Sequence, residues 1–162
     1  MSLQVTFMGF AEAATFDARG QLALIGFSPQ AFTVEQFPGQ VNAPLIMIID
    51  DDDEGATLKA GRTANVRIMV KNDSGEVVFF VEQATPVNEV KNSGMLPGRL
   101  ALVAQVPVTA SKAGRYTYHA TVTVVGDDSP ELTAQASLRV VDQALLDARR
   151  AAAQQNREGQ VG

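Results

Sequence analysis

Tyr116-Thr117-Tyr118-His119-Ala120-Thr121-Val122-Thr123-Val124-Val125 decides the fold class, together with the segment Glu131 to Val141 that follows it. Side chains on a strand alternate between two faces. Tyr116, Tyr118, Ala120, Val122 and Val124 therefore share one face, and Thr117, His119, Thr121 and Thr123 share the other. Gly126-Asp127-Asp128-Ser129-Pro130 carries turn chemistry. The return segment places Leu132, Ala134, Ala136, Leu138 and Val140 on one face. The period is two rather than 3.6, so this is a strand pair.

The same pattern recurs towards the N-terminus. Arg99 to Val108 reads as a strand, with Pro107 near its end, where a missing donor is tolerated. Val87 to Gly98 reads as a loop. Thr63 to Lys71 and Glu76 to Ala84 form a hairpin around Asn72-Asp73-Ser74-Gly75, with Val66, Ile68 and Val70 on one face. Pro44 to Asp50 is a continuous apolar run, short enough to be a buried strand. Ala31 to Phe37 fits a strand less well. Gln21 to Phe27 and Leu3 to Phe10 complete the set, the former preceded by the turn Asp17-Ala18-Arg19-Gly20. Ala11-Glu12-Ala13-Ala14 reads as small-residue strand packing.

Forward of the opening pair the composition changes. Asp142 to Gln155 is rich in Ala, Leu, Arg and Gln, strong helix formers, with Asp142 placed as N-cap. Ala144, Leu145 and Ala148 make a thin apolar stripe. Arg149 and Arg150 lie towards the C-terminal half, where the helix dipole favours cations. About eight or nine short strands at spacings of roughly 8–15 residues predict an all-β fold. The expected architecture is an immunoglobulin-like antiparallel β-sandwich over 1–141, with a short C-terminal α-helix and flexible tail over 142–162.

The 162 residues suit one domain, long enough to bury a core without staples. A net charge of −5 and the lack of a basic stripe argue against nucleic-acid binding. There is no cysteine, which removes disulfides, thiolate nucleophiles and thiolate metal sites. The start Met1-Ser2-Leu3-Gln4-Val5 has no signal-peptide pattern, and no apolar run is long enough to span a bilayer. A cytoplasmic location is the expectation.

Candidate chemistry is sparse. Asp50, Asp52, Asp53 and Glu54 form an acidic run, and hard cations want clustered carboxylates. With Gly55 at loop position six, the EF-hand pattern requires a glutamate where Gly61 stands. A different cation site would need Asp127 and Asp128 at the same end of the sandwich. A solvated charge block is the plainer reading. His119 is the single histidine, flanked by Thr117 and Thr121 on its face, with no carboxylate nearby and no G-x-S-x-G elbow in the chain. No glycine-rich segment has phosphate-cradling spacing. Gly114-Arg115-Tyr116 resembles the start of a late sandwich strand whose tyrosine bonds back to local backbone, a structural role. The expectation is a protein without enzymatic activity and without a cofactor.

Partner contact is the remaining possibility. Val90, Met95 and Leu96 put apolar residues in the loop before Arg99. Leu145, Leu146 and Arg149 lie on the helix. A helix of about 14 residues is marginal alone in water, so it needs a surface. That surface is either its own sandwich or a neighbouring subunit, and the sequence leaves both open. Two functional expectations follow. One is a structural or assembly protein acting by protein contact or self-association. The other is a ligand- or protein-binding module with a pocket at one sandwich end.

Ala11-Glu12-Ala13-Ala14, then Gly20-Gln21-Leu22 and Ile25-Gly26-Phe27, then Asp73-Ser74-Gly75-Glu76 and Pro107…Gly114-Arg115-Tyr116, carry a resemblance. Over Val5 to Val141 the chain resembles an uncharacterised family of small β-sandwich proteins from actinobacteria and their phages. The tryptophan common after that family's second glycine is missing, and the helical tail lies outside its pattern. The resemblance implies a sandwich fold and no assigned activity. It also implies a setting in which small sandwiches decorate capsids or serve as minor structural components, with the virion as the location if the chain is phage-encoded.

Overall fold

A computed structural model describes residues 3–18, 21–27, 31–51, 58, 61–87, 99–126, 128 and 130–159. Strands β1 (Leu3–Phe10), β5 (Gly39–Asp51) and β8 (Arg99–Ala110) form a three-stranded sheet in the order β1-β5-β8. Strands β4 (Phe32–Val34), β10 (Leu132–Asp142), β9 (Gly114–Val124), β6 (Thr63–Lys71) and β7 (Val77–Pro86) form a five-stranded sheet in that order. Strands β2 (Ala13–Phe16) and β3 (Leu22–Ile25) make a separate hairpin, and helix α1 (Gln143–Glu158) follows β10 directly. The chain is an all-β sandwich with one C-terminal helix, as the periodicity predicts.

The alternating faces of the sequence become the core. Val41, Ala43, Leu45, Met47 and Ile49 of β5 meet Val66, Ile68 and Val70 of β6 and Tyr116, Tyr118 and Val122 of β9. Their apolar surface is the main stabilising term, at about 25 cal/mol per Å2 buried. Tyr116 donates its hydroxyl to the Lys112 carbonyl at 2.9 Å. This is the tyrosine corner of immunoglobulin-like sandwiches, and it gives Tyr116 the structural role expected of it.

Four features depart from the sequence reading. The described residues form ten strands rather than eight or nine, because Ala13–Phe16 pairs with Leu22–Ile25 as its own hairpin. One pairing is parallel rather than antiparallel: the short β4 runs alongside the end of β10, with Val140 opposite Phe32. The apolar run Pro44 to Asp50 is part of a 13-residue strand, and its continuity has a cause on each face. Leu45, Met47 and Ile49 enter the core, while Ile46 points outward and is still 0% exposed. The segment carrying β2 lies against that outer face, and the Ala11 amide donates to the Pro44 carbonyl at 3.2 Å. Finally, β1 contains a bulge between Val5 and Phe7. The extra residue moves the inward positions from Leu3 and Val5 to Met8 and Phe10.

The Asn72–Gly75 turn closes as read. Asn72 Oδ1 accepts from the Ser74 and Glu76 amides, both at 3.0 Å, and Gly75 takes φ 80°. That left-handed value favours glycine. Beside that turn, at the start of β9, Gly114 has φ 152°, and a Cβ there would lie 2.3 Å from Asp73 Oδ2.

Candidate functional site

Among the described residues the acidic candidates form no cluster that could hold a metal. Asp50 lies opposite Arg99 in the β5–β8 register. Its two oxygens accept from Arg99 Nε and, at 2.9 Å, from the terminal guanidinium nitrogen. That hydrogen bonding holds the Asp50 carboxyl below its ordinary value, against a smaller opposing effect of burial. Asp50 is therefore neutralised by a cross-strand arginine, which removes it from the cation candidates. Asp128 is exposed. Asp52, Asp53, Glu54 and Asp127 lie outside the described residues, as do Val90, Met95 and Leu96. Among the described residues no three His, Cys, Asp or Glu side chains stand close enough to hold a metal.

His119 sits on the outer face of the five-stranded sheet, between Met69 of β6 and Gln135 of β10. Threonines 121 and 133 line the shallow surface beside it. No carboxylate lines that surface, so a relay from base to orienting acid is not assembled there.

The helix candidates do come together. Asp142 accepts from the Ala144 amide at 2.8 Å and from the Leu145 amide, capping α1 as its sequence suggests. Leu145 and Arg149, one turn apart, form one wall of a cleft of about 500 Å3. Asp73, Arg115 and Arg139 lie on the opposite walls. Leu146 is half-buried at the helix root. Beyond it every residue from Asp147 to Arg157 is exposed. Of the two surfaces open to the helix, its own sandwich takes only the first turn, mainly through β10.

Sequence reading missed Arg115, Arg139 and Asp73. Period-two alternation puts both arginines on the outward face, which was a usable signal. Their direct opposition depends on the β9–β10 register, in which Leu132 pairs with Val122 rather than with a residue nearer the turn. Three guanidiniums beside an apolar wall have the chemistry to pair with an anion.

A second concavity lies between the free edges of the two sheets. It measures about 250 Å3 and is lined by Phe16, Met47, Ile68, Val81, Leu102 and neighbouring residues. Strand β7 ends one sheet and β8 ends the other, so both present unpaired backbone to it among the described residues.

No protein-family model and no curated protein matches the chain. Solved structures give distant likenesses. One is a family 123 glycoside hydrolase from Clostridium perfringens, at 12% identity and TM-score 0.39, over 87% of this chain and 28% of that one. The chain thus spans about a quarter of the hydrolase. Another is the soluble domain of PmoD from Methylocystis, at 13% identity and TM-score 0.33, over 85% of this chain and 97% of that one. Likenesses at these TM-scores carry no statement about activity. No helix among the described residues is long and apolar enough to cross a membrane.

Proposed function

We propose that this chain is a non-enzymatic assembly module that holds a protein partner through its projecting helix. The carrying observation is the exposure of α1 from Asp147 to Arg157, with Leu145 51% exposed at its root. A 16-residue helix with so little packing is marginal in water and gains stability from a docking surface. The resemblance to sandwich proteins of actinobacteria and their phages supplies the setting, a capsid decoration or minor structural component of a large particle. Co-sedimentation with purified particles from the same source, alongside light scattering of the chain alone, tests this. The intact chain pellets with the particle or forms a defined oligomer, and Leu145→Arg abolishes both. A chain that stays monomeric and pellets with nothing overturns the reading.

The apolar concavity between β7 and β8 favours a second reading, a binding module for an apolar ligand or an extended protein segment. A thermal-shift screen with apolar small molecules and strand-forming peptides discriminates. A rise in unfolding temperature that is lost in Val81→Lys supports this reading, and a flat screen counts against it.

A further inference from the structure

The β9–β10 register sets Arg115 directly opposite Arg139 on the outer face of the sheet. Like charges placed so destabilise an antiparallel pair. Both side chains are exposed. Three other arginines have carboxylate partners: Arg67 pairs with Glu131, Arg99 with Asp50 and Arg150 with Asp147. The guanidiniums of Arg115, Arg139 and Arg149 have no ion-pair or hydrogen-bond partner among the described residues. Carboxylates are not scarce on a chain of net charge −5.

The surroundings favour anions. Asp73 and Asp142 also line the cleft, but both are engaged by backbone amides. Asp73 accepts from the Arg115 amide with each oxygen at 3.1 Å, and Asp142 caps the helix. Three guanidiniums outnumber the two carboxylates. One row further along the same face, Thr117 and Ser137 hydroxyls meet at 3.0 Å, and Lys71 lies opposite Thr117. Leu145 adds an apolar wall.

We propose that this cleft binds an acidic peptide segment of the partner protein. Its carboxylates lie in the guanidinium forks of Arg115, Arg139 and Arg149, and a neighbouring apolar side chain rests on Leu145. Guanidinium matches carboxylate with two parallel hydrogen bonds, which a point-charge ammonium does not. A space of about 500 Å3 exceeds what one small anion fills, which favours a peptide over free phosphate. The inference rests on the assembly reading of the helix and adds the chemistry of its partner.

The test uses the full chain and a fluorescent peptide alternating glutamate and leucine. A lysine-leucine peptide and inorganic phosphate serve as comparisons. Anisotropy shows saturable binding of the acidic peptide that weakens as salt rises. Arg139→Gln and Arg115→Gln each weaken it by about tenfold, the size typical of a charge-assisted pair. Arg139→Gln also raises the unfolding midpoint of the free chain, because it removes the opposed charge. Equal binding of the lysine peptide, displacement by phosphate at matching concentration, or an unchanged affinity in both variants overturns the proposal. So does an Arg139→Gln chain no more stable than its parent. Particle association that survives both arginine variants but fails in Leu145→Arg rejects the acidic-peptide inference and leaves the assembly reading standing.

Discussion

Tyr116 and Tyr118 stand one pleat repeat apart on the same buried face, yet their hydroxyls meet opposite fates. Tyr116 donates to the Lys112 carbonyl, whereas the Tyr118 hydroxyl has no hydrogen-bond partner among the described residues. Tyr118 is 0% exposed and its ring meets Phe10 edge-on at a centroid distance of 4.8 Å. Burial pushes its hydroxyl pKa well above the ordinary value. A buried polar group without a partner costs stability, while a satisfied one contributes about 1 kcal/mol. Tyr116→Phe is therefore expected to lower stability in urea unfolding by about 1 kcal/mol. Tyr118→Phe is expected to leave it unchanged or raise it by a similar amount, since the apolar ring contacts persist. The same deletion of one oxygen thus destabilises at Tyr116 and does not at Tyr118.

Asp50 gives the pH dependence at this scale. Its carboxyl titrates lower in the folded chain than its ordinary value of 3.8, through the Arg99 hydrogen bonds. A depressed folded value means that the contribution is complete above the unfolded pKa and is lost as pH falls through the folded one. Arg99 is partly exposed, so the contribution is about 1 kcal/mol or less. The stability difference between the chain and Asp50→Asn is expected at neutral pH and shrinks to nothing as pH drops below 3.8 through the folded value. Urea titrations of both chains across that range check it.

Among the elements, α1 is the one whose stability is most nearly its own. Its N-terminus is capped by Asp142, and Arg157 in the last turn suits the dipole, but packing beyond Leu146 is slight. Asp142→Ala is expected to cost the helix about 1 kcal/mol. Because the sandwich does not lean on the helix, circular dichroism at 222 nm falls while the unfolding midpoint of the sheet stays in place. A coincident loss of both would show that the helix packs on the body. The edge strands β7 and β8 differ from the inner strands in another way. Each has one side paired and the other facing the apolar concavity, with Val81 and Leu102 half-buried there.

For the molecule as a whole, position in the two-layer architecture decides what a given substitution costs. Leu45 is 1% exposed between the sheets, whereas Leu145 is 51% exposed beside the arginine cleft. Leu45→Ala removes buried methyl groups and leaves a cavity, so a loss of about 2–5 kcal/mol is expected. Leu145→Ala stays within about 0.5 kcal/mol of the parent. Denaturant midpoints for the two variants separate core from contact surface directly. Seven of the ten strands among the described residues have a partner distant in sequence, as β1 has in β5 and β5 in β8. Such sandwiches fold in milliseconds to seconds.

Period-two alternation and turn chemistry carried the sheet strands, the β6–β7 hairpin, Tyr116 and the capped helix, because each depends on neighbours a few residues away. The limits of the reading have the same origin. The Thr6 bulge and the parallel β4–β10 pair arise from contacts between distant segments, which a local pattern does not encode. Asp50 looked like part of an acidic run until the β5–β8 register placed Arg99 against it. The sequence alone therefore determined an all-β chain with a helical tail. Only tertiary structure decided that the helix stands away from its own sandwich and that Arg115 faces Arg139. Register and packing are long-range choices, settled when two sheets bury their apolar faces against each other.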